Sequence, residues 1–400
     1  MIKIGNLEID KFYLGDTSDA KIYLGDVKVW PKEEEEPGTY PYAFKRVSRG
    51  GNAYTVDCNS TSSNTVSSAD TQSGLTSTEI YNSTSNNTPV SVVFGDCCQS
   101  IGDYACSGWT YLSSVTISDN VTSLGAKSFY QTYRIEHLEI GSGITQIPTN
   151  AFYYIGRSGS TKPDLDLSAN VGLNVGNSAF YMCYFNNVIF PKNCTLSSTS
   201  FMYSSASTLS FGSGTKISEL GEFDQPFANS NISNIDLNGV TLIGGFAFYS
   251  ASGFTSITIP PSVTAFGQYA FSSASSLNSV TIDYDSNATL EDCQFMDSSI
   301  TSLTIGSHPT AIGKGMFQNC AKLTTLVIPT NISSINSYAF RNCTGLTSIT
   351  VHSTTPPTLV YSVFDSTNDC PIYVPPESVD TYKAASRWSN YASRIQAIPT

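Results

Sequence analysis

Charge is scarce in this 400-residue chain. Asp, Glu, Lys and Arg make up 13% of it, about half the usual share, and Ser, Thr, Asn and Gly fill the deficit. Lys and Arg number 20 against 32 Asp and Glu, a net charge of -12. No basic cluster offsets that balance, so the electrostatic footprint of a nucleic-acid binder is missing. Histidine is rarer still. The three residues His137, His308 and His352 lie on different stretches of chain, which argues against any His/Cys metal site. No apolar run reaches 18 residues, and the N-terminus MIKIGNLEIDKFYLG lacks a basic segment followed by an apolar core. The expectation is a soluble chain without membrane insertion that does not use the general export route.

What is present is a period. From Phe254 to Val351 the units open at Phe254, Leu277, Ile300, Leu323 and Leu346, 23 residues apart four times running. Each starts with an apolar residue followed by two more three and five positions on, as in Leu323, Leu326 and Ile328. A later apolar pair and an Ala-Phe complete it, as in Ile332, Ile335, Ala339 and Phe340. A unit this short cannot bury its apolar face alone and must stack on copies of itself. The fold class predicted is therefore a mainly β repeat solenoid: short parallel strands, brief helical turns, and a core that includes Phe271 and Phe340. Of the ten cysteines, Cys183, Cys320 and Cys343 each follow a repeat Phe by three. A cysteine at a fixed repeat position reads as a small buried hydrophobe rather than half of a disulfide, and the adjacent Cys97 and Cys98 are too close for a CxxC site.

The period runs weakly from Pro89, clearly from Leu112 and Ile135, and less regularly through an insertion near 156–162 and a lengthened unit at 219–227. Twelve coils over 89–374 at roughly 4.8 Å each make a rod about 55 to 60 Å long. Both ends differ from the rod. Residues 1–31 carry another repeat, with KFYLGD at 11–16 and KIYLGD at 21–26. Apolar runs broken by Gly-Asn or Gly-Asp predict three short strands in a meander too small to be stable alone. Its apolar residues suit docking, with Tyr13, Tyr23, Leu24 and Trp30 as candidates. An acidic linker follows at 32–39, with Glu33 to Glu36 at its centre. Residues 40–88 read as an N-terminal cap ending in a long Ser/Thr/Asn-rich loop. At 375–400 a capping helix is predicted over 377–395. Ser378 would be its N-cap, and Val379, Tyr382, Ala385, Trp388 and Tyr391 would form its apolar face.

Units of the form LTSITIPxxVTxIGxxAFxxC, seen in SITIPPSVTAFGQYAF at 256–271 and INSYAFRNC at 335–343, resemble the BspA-like leucine-rich repeats over about 89–374. The ending VPPESVDTYKAASRW at 374–388 is similar to that family's C-terminal segment. This resemblance implies adhesion or recognition, not catalysis, at a bacterial surface. The KIYLGD segments resemble the openings of many virion proteins of tailed phages of gut Bacteroidales, including crAss-like phages. That second resemblance implies a structural virion protein, a head or tail fibre or decoration made in the host cytoplasm. Its partners would be other virion proteins or copies of itself.

The candidate site residues divide accordingly. Catalysis requires a base or nucleophile held against a partner. The carboxylate pairs Asp164 with Asp166 and Asp283 with Asp285, expected on strands, have no third group nearby, so no catalytic, cofactor-binding or metal residue is assigned. Tyrosines are more suggestive. One follows the unit's Phe directly or one residue on at Tyr130, Tyr153, Tyr181, Tyr203 and Tyr249, and stacking the coils predicts an aromatic stripe along one edge. Exposed aromatics of this kind bind sugar rings or proteins, so a host-surface glycan or protein is the expected ligand.

Overall fold

The computed structural model describes residues 89–399 other than 97, 158–160 and 219–223, together with the backbone of seven short strands between residues 2 and 66. The chain winds as a parallel β-solenoid of about thirteen turns, with two strand ladders per turn. Twelve turns occupy the span in which the period predicted them. The further one comes from Asn52–Cys58 and Thr65–Val66, which pair in parallel with Val90–Phe94 and Ser100–Ile101. The sequence reads that segment as a cap, because the Ser/Thr/Asn-rich sequence places it more than 23 residues from its neighbour and hides the repeat. Tyr42–Arg46, antiparallel to Asn52–Cys58, lies outside it at the end of the sheet.

Register is what makes the stack a core. Ser256–Ile259, Ser279–Ile282 and Ser302–Ile305 pair so that Ile257, Val280 and Leu303 form one column and Ile259, Ile282 and Ile305 another. All six are buried. The alternating Ser and Thr residues form matching columns on the outer face, since a strand's side chains alternate with period two.

In the described coils from Leu112 onward, the third side is a pair of tight turns around the repeat phenylalanine. The rings stack without a break from Phe129 to Phe364, with centroids 4.7–5.9 Å apart and planes within 21° of parallel. Phe271 and Phe340 are both fully buried. Each such pair adds about 0.5–1.5 kcal/mol beyond burial. No helix forms here, because the residues two before and two after the Phe are left-handed, as at Tyr269 (φ 53°) and Ser273 (φ 60°). That geometry aims alternate amides along the rod: Tyr269, Phe271 and Ser273 donate to Asp292, Gln294 and Met296 of the next coil at 2.7–3.0 Å. The bonds between coils offset the conformational cost of about 1–2 kcal/mol per left-handed residue. The cysteines fit the same scheme. Cys183, Cys320 and Cys343 are free and buried, and each thiol donates to the carbonyl of a Phe on the preceding coil, at 3.0, 3.3 and 3.2 Å.

The C-terminal helix is shorter than predicted. An α-helix covers Val379–Ala384, Ala385 is extended, Arg387 is left-handed (φ 68°), and Trp388–Arg394 winds as 3-10 helix. The predicted apolar residues recur every third position, and an α-helix would rotate that stripe by about 60° per step. In a 3-10 helix residues three apart eclipse, so Trp388 and Tyr391 meet the last coil together. Trp388 extends the Phe stack, 5.9 Å from Phe364, and its Nε1 donates to the Pro357 carbonyl at 2.7 Å. Ser378 is not an N-cap by side chain. Its amide instead closes a turn onto the Pro375 carbonyl. Ile395–Ala397 then adds a final strand to Ile372–Val374.

In the N-terminal repeat, expected as a three-stranded meander, the described strands pair as hairpins. Ile2–Ile4 pairs antiparallel with Leu7–Ile9, and Ile22–Leu24 with Val27–Trp30. Gly5-Asn6 and Gly25-Asp26 fall between the paired strands, the two-residue spacing that such dipeptides favour. Tyr23, Leu24 and Trp30 belong to the second hairpin's backbone. Their side chains, and all of Tyr13, lie outside the described residues, as does the linker.

Candidate functional site

Every coil presents its turn edge to solvent beside the Phe stack, so the residues flanking each Phe form columns along the rod. In the first half those columns are aromatic. Tyr130 stacks on Tyr153 and Tyr153 on Tyr181, both with centroids 4.9 Å apart, and Tyr203 meets Tyr181 edge-on at 5.6 Å. Four of the five predicted tyrosines are thereby brought together. Tyr249 is not with them. Ala228 occupies the same position on the intervening coil, and Tyr249 packs 5.5 Å from Phe246, which in turn lies 5.0 Å from Tyr269.

The spacing rule missed several neighbours of the stripe. Tyr154 meets Tyr153 edge-on at 4.4 Å, and Tyr133 lies 6.0 Å from Tyr154. Lys127 Nζ sits over Tyr104 and Tyr130, 5.3 and 5.6 Å from their centroids. The Arg157 guanidinium lies over Tyr154 and Tyr184 at 5.0 and 5.7 Å, and Lys162 Nζ is 5.8 Å from Tyr184. A signal for part of this was available. Tyr104 and Lys127 both stand two residues before the stack position, a second column beside that of the tyrosines after the Phe.

Stacking decides what this edge can offer. The inner rings of a near-parallel column have their faces covered by one another, so a sugar ring cannot lie flat on Tyr153. The free surfaces are the hydroxyl rim and the exposed rings at the margins, Tyr104 (49% exposed) and Tyr203 (43%). Packing within the column, followed by the Tyr154 hydroxyl and the neighbouring phenols, raises the Tyr153 pKa well above the ordinary value, and packing beside Tyr203 raises that of Tyr181. Both remain neutral hydroxyl groups through the physiological range.

The carboxylate pairs serve local structure. Asp164 precedes its strand, Leu165–Asp166, and accepts from Asn186 Nδ2 and from the Asn187 amide and Nδ2. Asp166 accepts from the Ser168 amide. Asp283 and Asp285 lie beyond the strand Ser279–Ile282, contrary to expectation, because the chain turns there. Asp283 meets His308 Nδ1 at 2.9 Å, and Asp285 accepts from the Asn287 amide. Among the described residues no three His, Cys, Asp or Glu side chains converge on a point. A small void of about 10 Å³ lies beside Phe185, Phe201 and Phe227, no larger than a water.

Among solved structures the chain is similar to a leucine rich cell surface protein of Faecalibacterium prausnitzii (18% identity over 92% of this chain and 99% of that one, TM-score 0.35). It is also similar to a leucine-rich repeat protein of Bacteroides ovatus (18%, 90% and 99%, TM-score 0.37) and to the pneumococcal vaccine antigen PcpA (14%, 89% and 95%, TM-score 0.40). No curated protein matches it. The BspA type leucine rich repeat region matches residues 76–169, 173–298 and 241–370, in 6 copies. That span covers most of the chain and contains the strand, turn and phenylalanine unit from which the rod is built, so the chain belongs to the BspA type leucine-rich repeat family.

Proposed function

We propose that the chain is a non-enzymatic recognition rod acting at a surface, with the tyrosine edge from Tyr104 to Tyr203 as the face that binds a host-surface glycan or protein. The observation that carries this reading is the continuous, half-exposed aromatic column in a rod whose surface is otherwise polar and nearly uncharged. Exposed aromatic clusters of this kind mark binding surfaces. Family membership agrees with it, since BspA-like proteins are generally found at cell surfaces or outside the cell. The test is adhesion of the full chain to intact host cells. Tyr153→Ala with Tyr181→Ala and Tyr203→Ala should abolish adhesion, whereas Tyr249→Ala, in the separate cluster, should not. Full adhesion by a folded triple variant would remove the edge from consideration.

A second reading concerns the carrier. The repeated KFYLGD and KIYLGD segments, with their two small hairpins, favour an attachment device that gains order from a partner. On a phage particle that partner would be other virion subunits or further copies of the chain. On a bacterium it would be a component of the cell envelope. Deleting residues 1–30 should abolish incorporation into particles while leaving a folded rod. A truncated chain that still incorporates would end the virion reading.

A further inference from the structure

We infer that the tyrosine edge is selective for an acidic polysaccharide, one whose sugars carry carboxylate or sulfate groups. This rests on the edge being the recognition face and names the ligand class. The chemistry of the edge is one-sided. Lys127, Arg157 and Lys162 lie over tyrosine rings on successive coils. Among the described residues none of the three has a carboxylate within ion-pairing distance, whereas Lys314, farther along the rod, is held by Asp292 at 2.6 Å. Asp103, next to Tyr104, spends its Oδ1 on the Ala126 amide at 2.7 Å. The tyrosines add neutral hydroxyl donors between the cations. A local array of ammonium, guanidinium and phenol donors matches a ligand rich in anionic acceptors.

Shape separates a polysaccharide from an acidic peptide. An extended peptide gains general affinity by hydrogen bonding to an open backbone edge. Here the amides of Lys127, Gln131 and Tyr154 are already bonded to the next coil at 2.8–3.2 Å. A polysaccharide needs no such edge. Its rings can rest against the exposed faces of Tyr104 and Tyr203, and its charges can meet the three cations in turn as it crosses coils spaced on the scale of one sugar residue.

The experiment is calorimetric titration of the full chain with heparin, polygalacturonate, neutral dextran and poly-Glu, with folding of each variant checked by its thermal melt. The expected result is binding of heparin or polygalacturonate that weakens with added salt. It should fall by about tenfold or more in Lys127→Gln with Arg157→Gln and Lys162→Gln, and by a smaller factor in Tyr153→Phe with Tyr181→Phe, which keeps the stack. Dextran bound as well as the acidic polymers, or unchanged affinity in the Gln variant, would overturn the charge selectivity. Adhesion lost in the Tyr→Ala variant would still leave the edge as the recognition face. Tighter binding of poly-Glu than of either polysaccharide would assign the edge to an acidic protein instead. No binding of either acidic polymer would end the inference.

Discussion

Two stretches of the same edge, residues 104–203 and residues 292–342, have one core and two surfaces. In both, phenylalanines stack ring on ring and left-handed residues flank them. In the second stretch the flanking columns are mostly polar and paired between coils, with one aromatic exception, Tyr338, whose ring lies 5.4 Å from the Arg341 guanidinium. Asn319 donates to Asp297 at 2.8 Å, Asn342 donates to Asn319 at 2.9 Å, and Lys314 pairs with Asp292. In the first stretch the columns are tyrosines with cations over their rings. The regular half closes most of its edge with bonds between coils, and the tyrosine half gathers several cations over its rings. Conserving the core while varying the edge is how a solenoid changes what it binds without changing its fold.

The largest effect should fall on what the two stretches share. Phe152→Ala and Phe340→Ala should each cost about 3–5 kcal/mol in denaturant unfolding, and Phe271→Ala the same. A much smaller loss at Phe152 would mean that the tyrosine column, not the Phe stack, holds the irregular coils together.

Asn319→Ala comes next, at about 1–2 kcal/mol, because alanine loses two side-chain bonds and must hold φ at 62°. Adhesion should be unchanged. Impaired adhesion would show that the regular edge also takes part in recognition.

Tyr153→Phe with Tyr181→Phe should alter stability at neutral pH by no more than about 0.5 kcal/mol. The pH profile should distinguish it. Both native phenols titrate above the unfolded value near 10, so their contribution is complete below that pH and lost as pH rises through the folded values. Wild type should weaken in that alkaline window more than the double variant. Identical profiles would mean that the column does not disfavour ionisation.

The smallest effect belongs to Asp119. The amide of Ser142, and then its hydroxyl, hold this exposed carboxylate below its ordinary pKa of 3.8. The stabilisation is present above the unfolded pKa and disappears as pH falls through the folded one. Carboxylate NMR should give a midpoint under 3.8, and a midpoint at or above that value would remove this link between coils.

The core was legible because its signal recurs. Leu323, Leu326, Ile328, Ile335 and Phe340 repeat at 23 residues, and all are buried. Other features left no such trace. Asn52–Cys58 sits in the stack, but a long Ser/Thr/Asn-rich stretch of sequence separates it from the next unit. Val379, Tyr382, Ala385, Trp388 and Tyr391 form an apolar series, yet their spacing of three is compatible with a straight helix on paper and with a broken one in space. The site was half legible: Tyr130, Tyr153 and Tyr181 hold the same place after a Phe, but Lys127 and Arg157 are isolated cations in sequence.

By itself the sequence determined the repeat, the buried columns, the phenylalanine stack and the absence of a basic surface overall. These follow from identical units meeting identical neighbours, where one period is repeated down the rod. Only the tertiary structure decided which side chains touch across the irregular coils. Tyr153 and Tyr181 are 28 residues apart and Tyr181 and Tyr203 are 22 apart, yet each pair lies on adjacent coils. Loops of different length are absorbed at the corners while the strands and the Phe stack keep their register. Equal position in space is therefore not equal spacing in sequence, and it is at those unequal spacings that Arg157 and Lys162 come to lie over Tyr184.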